Sequence, residues 1–127
     1  MGFDVKKIHD PKFFKENCMA AHSDHVTYKN EAEAVEQNSS FRLSLDWIWK
    51  FHYAKNDAQT IPGFEAEDYN CRPWDDIRVP AHIQMEGYDI PQYANIQYPW
   101  DGREDVWRDA VPTDFNPVAS YVKYFTL

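Results

Sequence analysis

The chain of 127 residues has little with which to brace itself covalently. It holds two cysteines, Cys18 and Cys71, far apart in sequence. Such a pair makes no disulfide framework and is expected as two separate reduced thiols. Basic residues are also scarce: 13 Lys and Arg against 21 Asp and Glu leave a formal charge of −8. That balance excludes nucleic acid and an anionic membrane surface as natural partners, because both call for a basic face. No window approaches the apolar length of a transmembrane helix. The first twenty residues contain no signal-peptide core, so a soluble, cytoplasmic protein is expected. There is no internal repeat or low-complexity tract, and the length allows one domain at most.

Aromatic residues, at 17%, are what the chain has in plenty. A β-rich core and a sugar-stacking surface both use flat rings, and composition does not separate them. From Phe41 to Tyr53 the pattern is informative. Phe41, Leu43, Leu45, Trp47, Trp49, Phe51 and Tyr53 alternate with Arg42, Ser44, Asp46, Lys50 and His52, with Ile48 the one exception. Period two predicts β structure with one buried face. The run is long for one strand, so a bend or turn inside it is expected. Val118 to Leu127 is a second strand-like stretch, rich in β-branched and aromatic residues. Two short helices are predicted: one begun by Asp10-Pro11, the other over 30–37, with Asn30 as N-cap and Glu33 at the capping-box position. Pro62-Gly63 marks a turn in an exposed crossover.

The stretch Val79 to Gly102 combines Tyr88, Tyr93, Tyr98 and Trp100 with Pro80, Gly87, Pro91, Pro99 and Gly102. This composition prevents long helices and predicts an ordered loop held by packing, the usual platform for a binding residue. Asn95 stands out, since its amide offers the acceptor and donors needed to read a sugar hydroxyl. Asn also commonly satisfies its own backbone in turns, and the pattern alone favours that role. Three other groups invite chemistry. His22 and His25 flank Asp24, but a structural metal site needs ligands that are not near, so a surface loop is expected. Asp75 and Asp76 are adjacent on a predicted strand and so point to opposite faces, which is poor geometry for paired acid/base work. His52 lies on the polar face and is expected to be solvated. Beyond Gly102, Trp107 is the expected anchor of a charged excursion.

The same stretch carries a resemblance. Val79-Pro80, Gln84-Met85, Gly87-Tyr88, Pro91, Tyr93, Asn95 and Tyr98-Pro99-Trp100-Asp101-Gly102 resemble the N-terminal sugar-binding domain of the large bacterial β-galactosidases of glycoside hydrolase family 2. Asn116, Pro117, Tyr121 and Phe125 extend the match, as does Leu45 to Phe51, except that Trp47 stands where the family has a turn glycine. A Trp cannot take positive φ cheaply, so a changed turn or local strain is expected there. The resemblance implies a mostly β fold: part of a galactose-binding-like jelly-roll β-sandwich in residues 41–127, incomplete at its C-terminal end, preceded by an irregular arm with short helical turns in residues 1–40. Half a sandwich exposes apolar surface and open edges, so marginal stability is expected of the chain by itself.

The resemblance also implies a function: a non-catalytic segment of a β-galactosidase, an enzyme that hydrolyses terminal β-galactosides such as lactose. Asn95 and its neighbour Ile96 are then the substrate-binding residues. No catalytic residue, metal ligand or cofactor is implied here. The glutamate pair and the Mg and Na ions of the parent enzyme belong outside this stretch, in a central barrel. The remaining domains of the same enzyme, a homo-oligomeric parent and a β-galactoside are the implied partners. The alternative is a stand-alone carbohydrate-binding or interaction module. Because a retaining glycosidase needs two carboxyl groups about 5 Å apart and none is identified here, the isolated chain is expected to be inactive. An assay of the purified chain with a chromogenic β-galactoside checks this; turnover that persists through further purification would refute it.

Overall fold

The computed structural model describes residues 4–91, 95–107 and 110–127. Tyr93, one of the residues carrying the resemblance, falls outside them. The chain divides into two compact units, Phe14–Leu45 and a larger one made of Met1–Phe13 with Asp46–Leu127.

The larger unit is built on a three-stranded antiparallel sheet of order β2-β1-β3, with β1 Trp47–Ala54, β2 Asp75–Val79 and β3 Val118–Val122. Among the described residues the fold is mostly β with a few short helical turns, consistent with part of a β-sandwich. The central strand is the one with the period-two pattern. Trp49, Phe51 and Tyr53 share a face, paired by register with Ile77 and Asp75 on β2 and with Tyr121 and Ala119 on β3. Phe51 is fully buried and Ile77 nearly so. The rings of Tyr88 and Tyr121 close over Phe51, with centroids 4.5 and 4.9 Å away. Edge-on aromatic packing of this kind adds to the gain from burial alone.

The other face differs from expectation. His52 is half-buried, with its ring 5.4 Å from that of Trp74, which is itself buried. Ala54 and Cys71 are also buried. Tyr69 and Phe64 pack on Trp74, and the Trp74 indole N–H donates to the Tyr69 hydroxyl. The crossover 55–74, with its turn at Pro62-Gly63, therefore folds back over the even-numbered face, which alternation alone presents as solvated. Lys50 on that face pairs with Asp76 at 2.7 Å and donates to the Trp74 carbonyl. β3 finds its partner in β1, and the contact continues past the strands through a hydrogen bond from Asn116 N to the Lys55 carbonyl.

Two expectations need correction. The β structure does not reach back to Phe41: β1 begins at Trp47, and Phe41 and Leu43 are exposed. The reason lies in the partner strand. Trp47 pairs with Val79, the last residue of β2, and Pro80 after it has no N–H to extend the ladder. Nor does Asp10-Pro11 start a helix. A short 3-10 turn, Val5–His9, precedes it, capped by the Asp4 carboxylate on Lys6 N. Asp10 instead folds its side chain onto the N–H of Lys12 and closes a turn at Phe13. Phe14 is exposed, so a helix there has no apolar face to bury.

In the smaller unit the expected helix forms as α1, Glu31–Glu36. The Asn30 side chain accepts from Glu33 N, and Glu33 accepts from Lys29 N, one residue earlier than a capping box requires. Gln37 takes φ 55°, and the N–H groups of Gln37 and Asn38 return to the carbonyls of Ala34 and Glu33. This is the left-handed closure that satisfies the last carbonyls of a helix. Ser39, buried, donates to the Thr27 carbonyl.

Trp47 adopts φ 93° and is 70% exposed. It holds a glycine-like conformation while burying little of its ring. Replacing it by glycine should relieve backbone strain at small packing loss, so Trp47→Gly is expected to stabilise the fold by about 1 kcal/mol. Urea unfolding of the two proteins measures this, and a lower midpoint for the glycine variant would refute it.

Candidate functional site

The loop after β2 is attached to the sheet at its root. The 3-10 turn Ile83–Glu86 is tied back by an ion pair between Glu86 and Arg78 of β2 at 3.0 Å. Gly87, at φ 95°, then reverses the chain and aims Tyr88 at Phe51. The Tyr88 hydroxyl donates to Asp75 at 2.9 Å. Burial, then the bond to the Asp75 carboxylate, pushes the Tyr88 phenol up to about 12. Asp75 and Asp76 thus have separate partners, Tyr88 and Lys50, on opposite faces of the sheet.

Asp89 follows in the left-handed region, φ 58°, with its side chain only 9% exposed. Its carboxylate meets the Arg103 guanidinium at 3.5 Å. Burial first, and the Asp89 charge next, raise the phenol of Tyr53 on β1 above its ordinary value. The Arg103 guanidinium lies 3.7 Å over the Phe115 ring. The next residue, Glu104, accepts from three successive backbone N–H groups, of Thr113, Asp114 and Phe115, and from the Thr113 hydroxyl, at 2.8–3.2 Å. The segment 103–104 is therefore fastened to 113–115 by charge-assisted bonds.

Between Asp89 and Arg103 lie the residues singled out in the sequence. Asn95 sits in an exposed turn and Ile96 is 76% exposed. Tyr98 and Trp100 stack with parallel rings 5.1 Å apart, and Asp101 accepts from Tyr98 N at 2.8 Å. Gly102, at φ 75°, ends this turn. A largely apolar cavity of about 950 Å³ opens beside the loop, with Ile83, Met85, Asp89, Trp100 and Phe115 in its wall. Neither Asn95 nor Ile96 is among its lining residues.

The tie between 103–104 and 113–115 is absent from the sequence reading. Trp107, the expected anchor, is 85% exposed, and Glu104 does the anchoring instead. The available signal was Pro112-Thr113-Asp114, a turn start that presents successive amides to an incoming carboxylate. His22 is exposed, with Nδ1 on the Ala20 carbonyl and Nε2 3.6 Å from Asp24. Among the described residues no group of three or more His, Cys, Asp or Glu is placed to hold a metal ion. Both cysteines are free, Cys71 buried and Cys18 exposed. No described helix is long and apolar enough to cross a membrane.

Comparison with known proteins places this geometry in context. No family model matches the chain. Proteins named β-galactosidase do. The chain is 46% identical over 98% of its length to a β-galactosidase of Halalkalibacterium halodurans, and 42% identical over 94% to one of Streptococcus thermophilus. It is 34% identical over 98% to a β-galactosidase large subunit of Latilactobacillus sakei. It spans 12% of the first two proteins and 22% of the third. The chain therefore corresponds to a small segment of β-galactosidases.

The amides of Thr113 and Phe115 hold the Glu104 carboxyl below its ordinary value of 4.5. A carboxylate lowered by folding contributes stability that is present above the unfolded value and is lost as pH falls through the folded one. The melting temperature should therefore exceed that of Glu104→Gln at neutral pH, and the gap should close as the solution is acidified below 4.5. A gap that stays constant with pH would refute this assignment.

Proposed function

We propose that the chain is a non-catalytic segment of a family 2 β-galactosidase, acting on terminal β-galactosides such as lactose. Its sheet is scaffold, and the loop between Asp89 and Arg103 contacts the substrate. In this reading the Asn95 amide bonds a galactose hydroxyl and Ile96 supplies an apolar edge beside it. The observation that carries the proposal is similarity to β-galactosidases along 98% of the chain at 46% identity. The exposure of Asn95 and Ile96 on a loop fastened at its base supports the role given to them. A tip held by rigid roots is how folds present binding residues.

The catalytic carboxylate pair of a retaining mechanism belongs to the remaining domains of the enzyme, as do the Mg and Na ions. Those domains, assembled as a homo-oligomer in the cytoplasm, are the partners of this segment. The open edges of β2 and β3 are where further strands of the sandwich add. A stand-alone carbohydrate-binding module accounts less well for similarity that runs along nearly the whole chain to one small part of much longer proteins.

The test is a chimera in which this chain replaces the matching stretch of the H. halodurans enzyme. Asn95→Ala in that chimera should lower kcat/KM by roughly five- to 150-fold, the loss expected for a desolvated polar contact of about 1–3 kcal/mol. The melting temperature should not change, because an exposed amide holds no core. Wild-type kcat/KM in the variant, or a loss of activity that follows a loss of folded protein, would refute the assignment.

A further inference from the structure

We propose that Asp89 and Arg103 form a positioning clamp across the neck of the loop, with Glu104 as its fastening, and that the clamp sets the pose of Asn95. The proposal rests on the sugar-contact reading of Asn95. Its basis is the placement of the three residues. Asp89 and Arg103 immediately bracket the segment that carries Asn95, Ile96 and the Tyr98–Trp100 stack, and their charged ends meet at 3.5 Å. The pair is tied to the scaffold from both sides. On one side Asp89 follows Tyr88, whose ring packs on Phe51 of the central strand, and on the other Arg103 lies flat on Phe115. Glu104, next to Arg103, takes the three amides of 113–115.

This investment does little for the core. Among the described residues the buried hydrophobic side chains are Phe51, Ala54, Cys71, Trp74 and Ile77, and the 113–115 segment that Glu104 fastens lies outside that set. Asp89 moreover occupies a left-handed backbone conformation with its charge nearly enclosed. Strain together with a buried charge costs stability, and what it secures here is the separation of the two ends of the loop. A neck held at fixed width limits the conformations open to the tip before ligand arrives. That lowers the ordering cost of binding, which is the physical content of preorganisation.

The clamp acts through Asn95 and touches no substrate, so its loss has a defined signature. In the chimera, Asp89→Asn retains side-chain shape and left-handed tolerance but removes the charge. It should raise KM for a chromogenic β-galactoside by about five- to tenfold and leave kcat near its starting value, as loss of uniform binding does. Arg103→Lys keeps a charge but loses the planar fork and the stacking on Phe115, and should give the same split more weakly. It also serves as the second variant if Asp89→Asn does not fold. In an Asn95→Ala background neither substitution should raise KM further, because the residue being positioned is gone. In the chimera, Asp89→Asn should also speed hydrogen exchange at residues 95–102 and leave β1 protected.

A neutral Asn95→Ala removes the sugar-contact reading on which the clamp rests. A damaging Asn95→Ala beside a neutral Asp89→Asn overturns the clamp alone. A KM effect of Asp89→Asn that persists in the Asn95→Ala background also overturns it, as does exchange that quickens equally in β1.

Discussion

The packing of Phe51 between Tyr88 and Tyr121 is the contact on which the rest of this structure depends. Phe51 is at the centre of the central strand, and it is fully buried where two other segments close over it. Tyr121 brings in β3 from the far end of the sequence. Tyr88 brings in the loop that follows β2. A three-stranded sheet is near the lower limit of independent stability, and this fully buried ring also decides where the loop after β2 starts. Tyr88 serves both purposes: its ring completes the core, and its backbone delivers Asp89 to the neck of the loop.

From that root outward the means of support changes from apolar burial to charge. Asp89, Arg103 and Glu104 hold the segment around Asn95 with an ion pair, a cation over a ring and a carboxylate on three amides. An apolar plug at this position would pull the loop down onto the sheet. Directional polar contacts fix its ends while its tip stays in water, where Asn95 and Ile96 can meet a ligand. The two aspartates of β2 follow the same division. Asp75 serves the loop through Tyr88, and Asp76 serves the opposite face through Lys50.

Much of this was accessible from residue order, and the exceptions have specific causes. Alternation located the central strand and the face on which Phe51 is buried, though Phe41, Leu43 and Trp47 of the same pattern are exposed. It gave no warning that Trp74 and its neighbours cover the even-numbered face, because a covering segment far away in sequence leaves no periodic trace. The positive φ at Trp47 was foreseeable as strain where a bulky residue occupies a glycine position. That the strand ends there follows from Pro80 in its partner. The expected helix after Asp10 fails for want of anything to bury it.

The sequence by itself determined the local features: the period-two strand, the capped helix after Asn30, the turn at Pro62-Gly63, the divergence of Asp75 and Asp76, and the aromatic loop after β2. Each depends on residues within a few positions of one another, so backbone geometry and side-chain chemistry suffice. Tertiary structure alone decided how the loop is held. Asp89 meets Arg103, and Glu104 meets the amides of 113–115, in a fold where Tyr88 is docked on Phe51 and β3 is paired with β1. A carboxylate shows its charge in the sequence but not its partner, because the partner is chosen by the path of the chain between them.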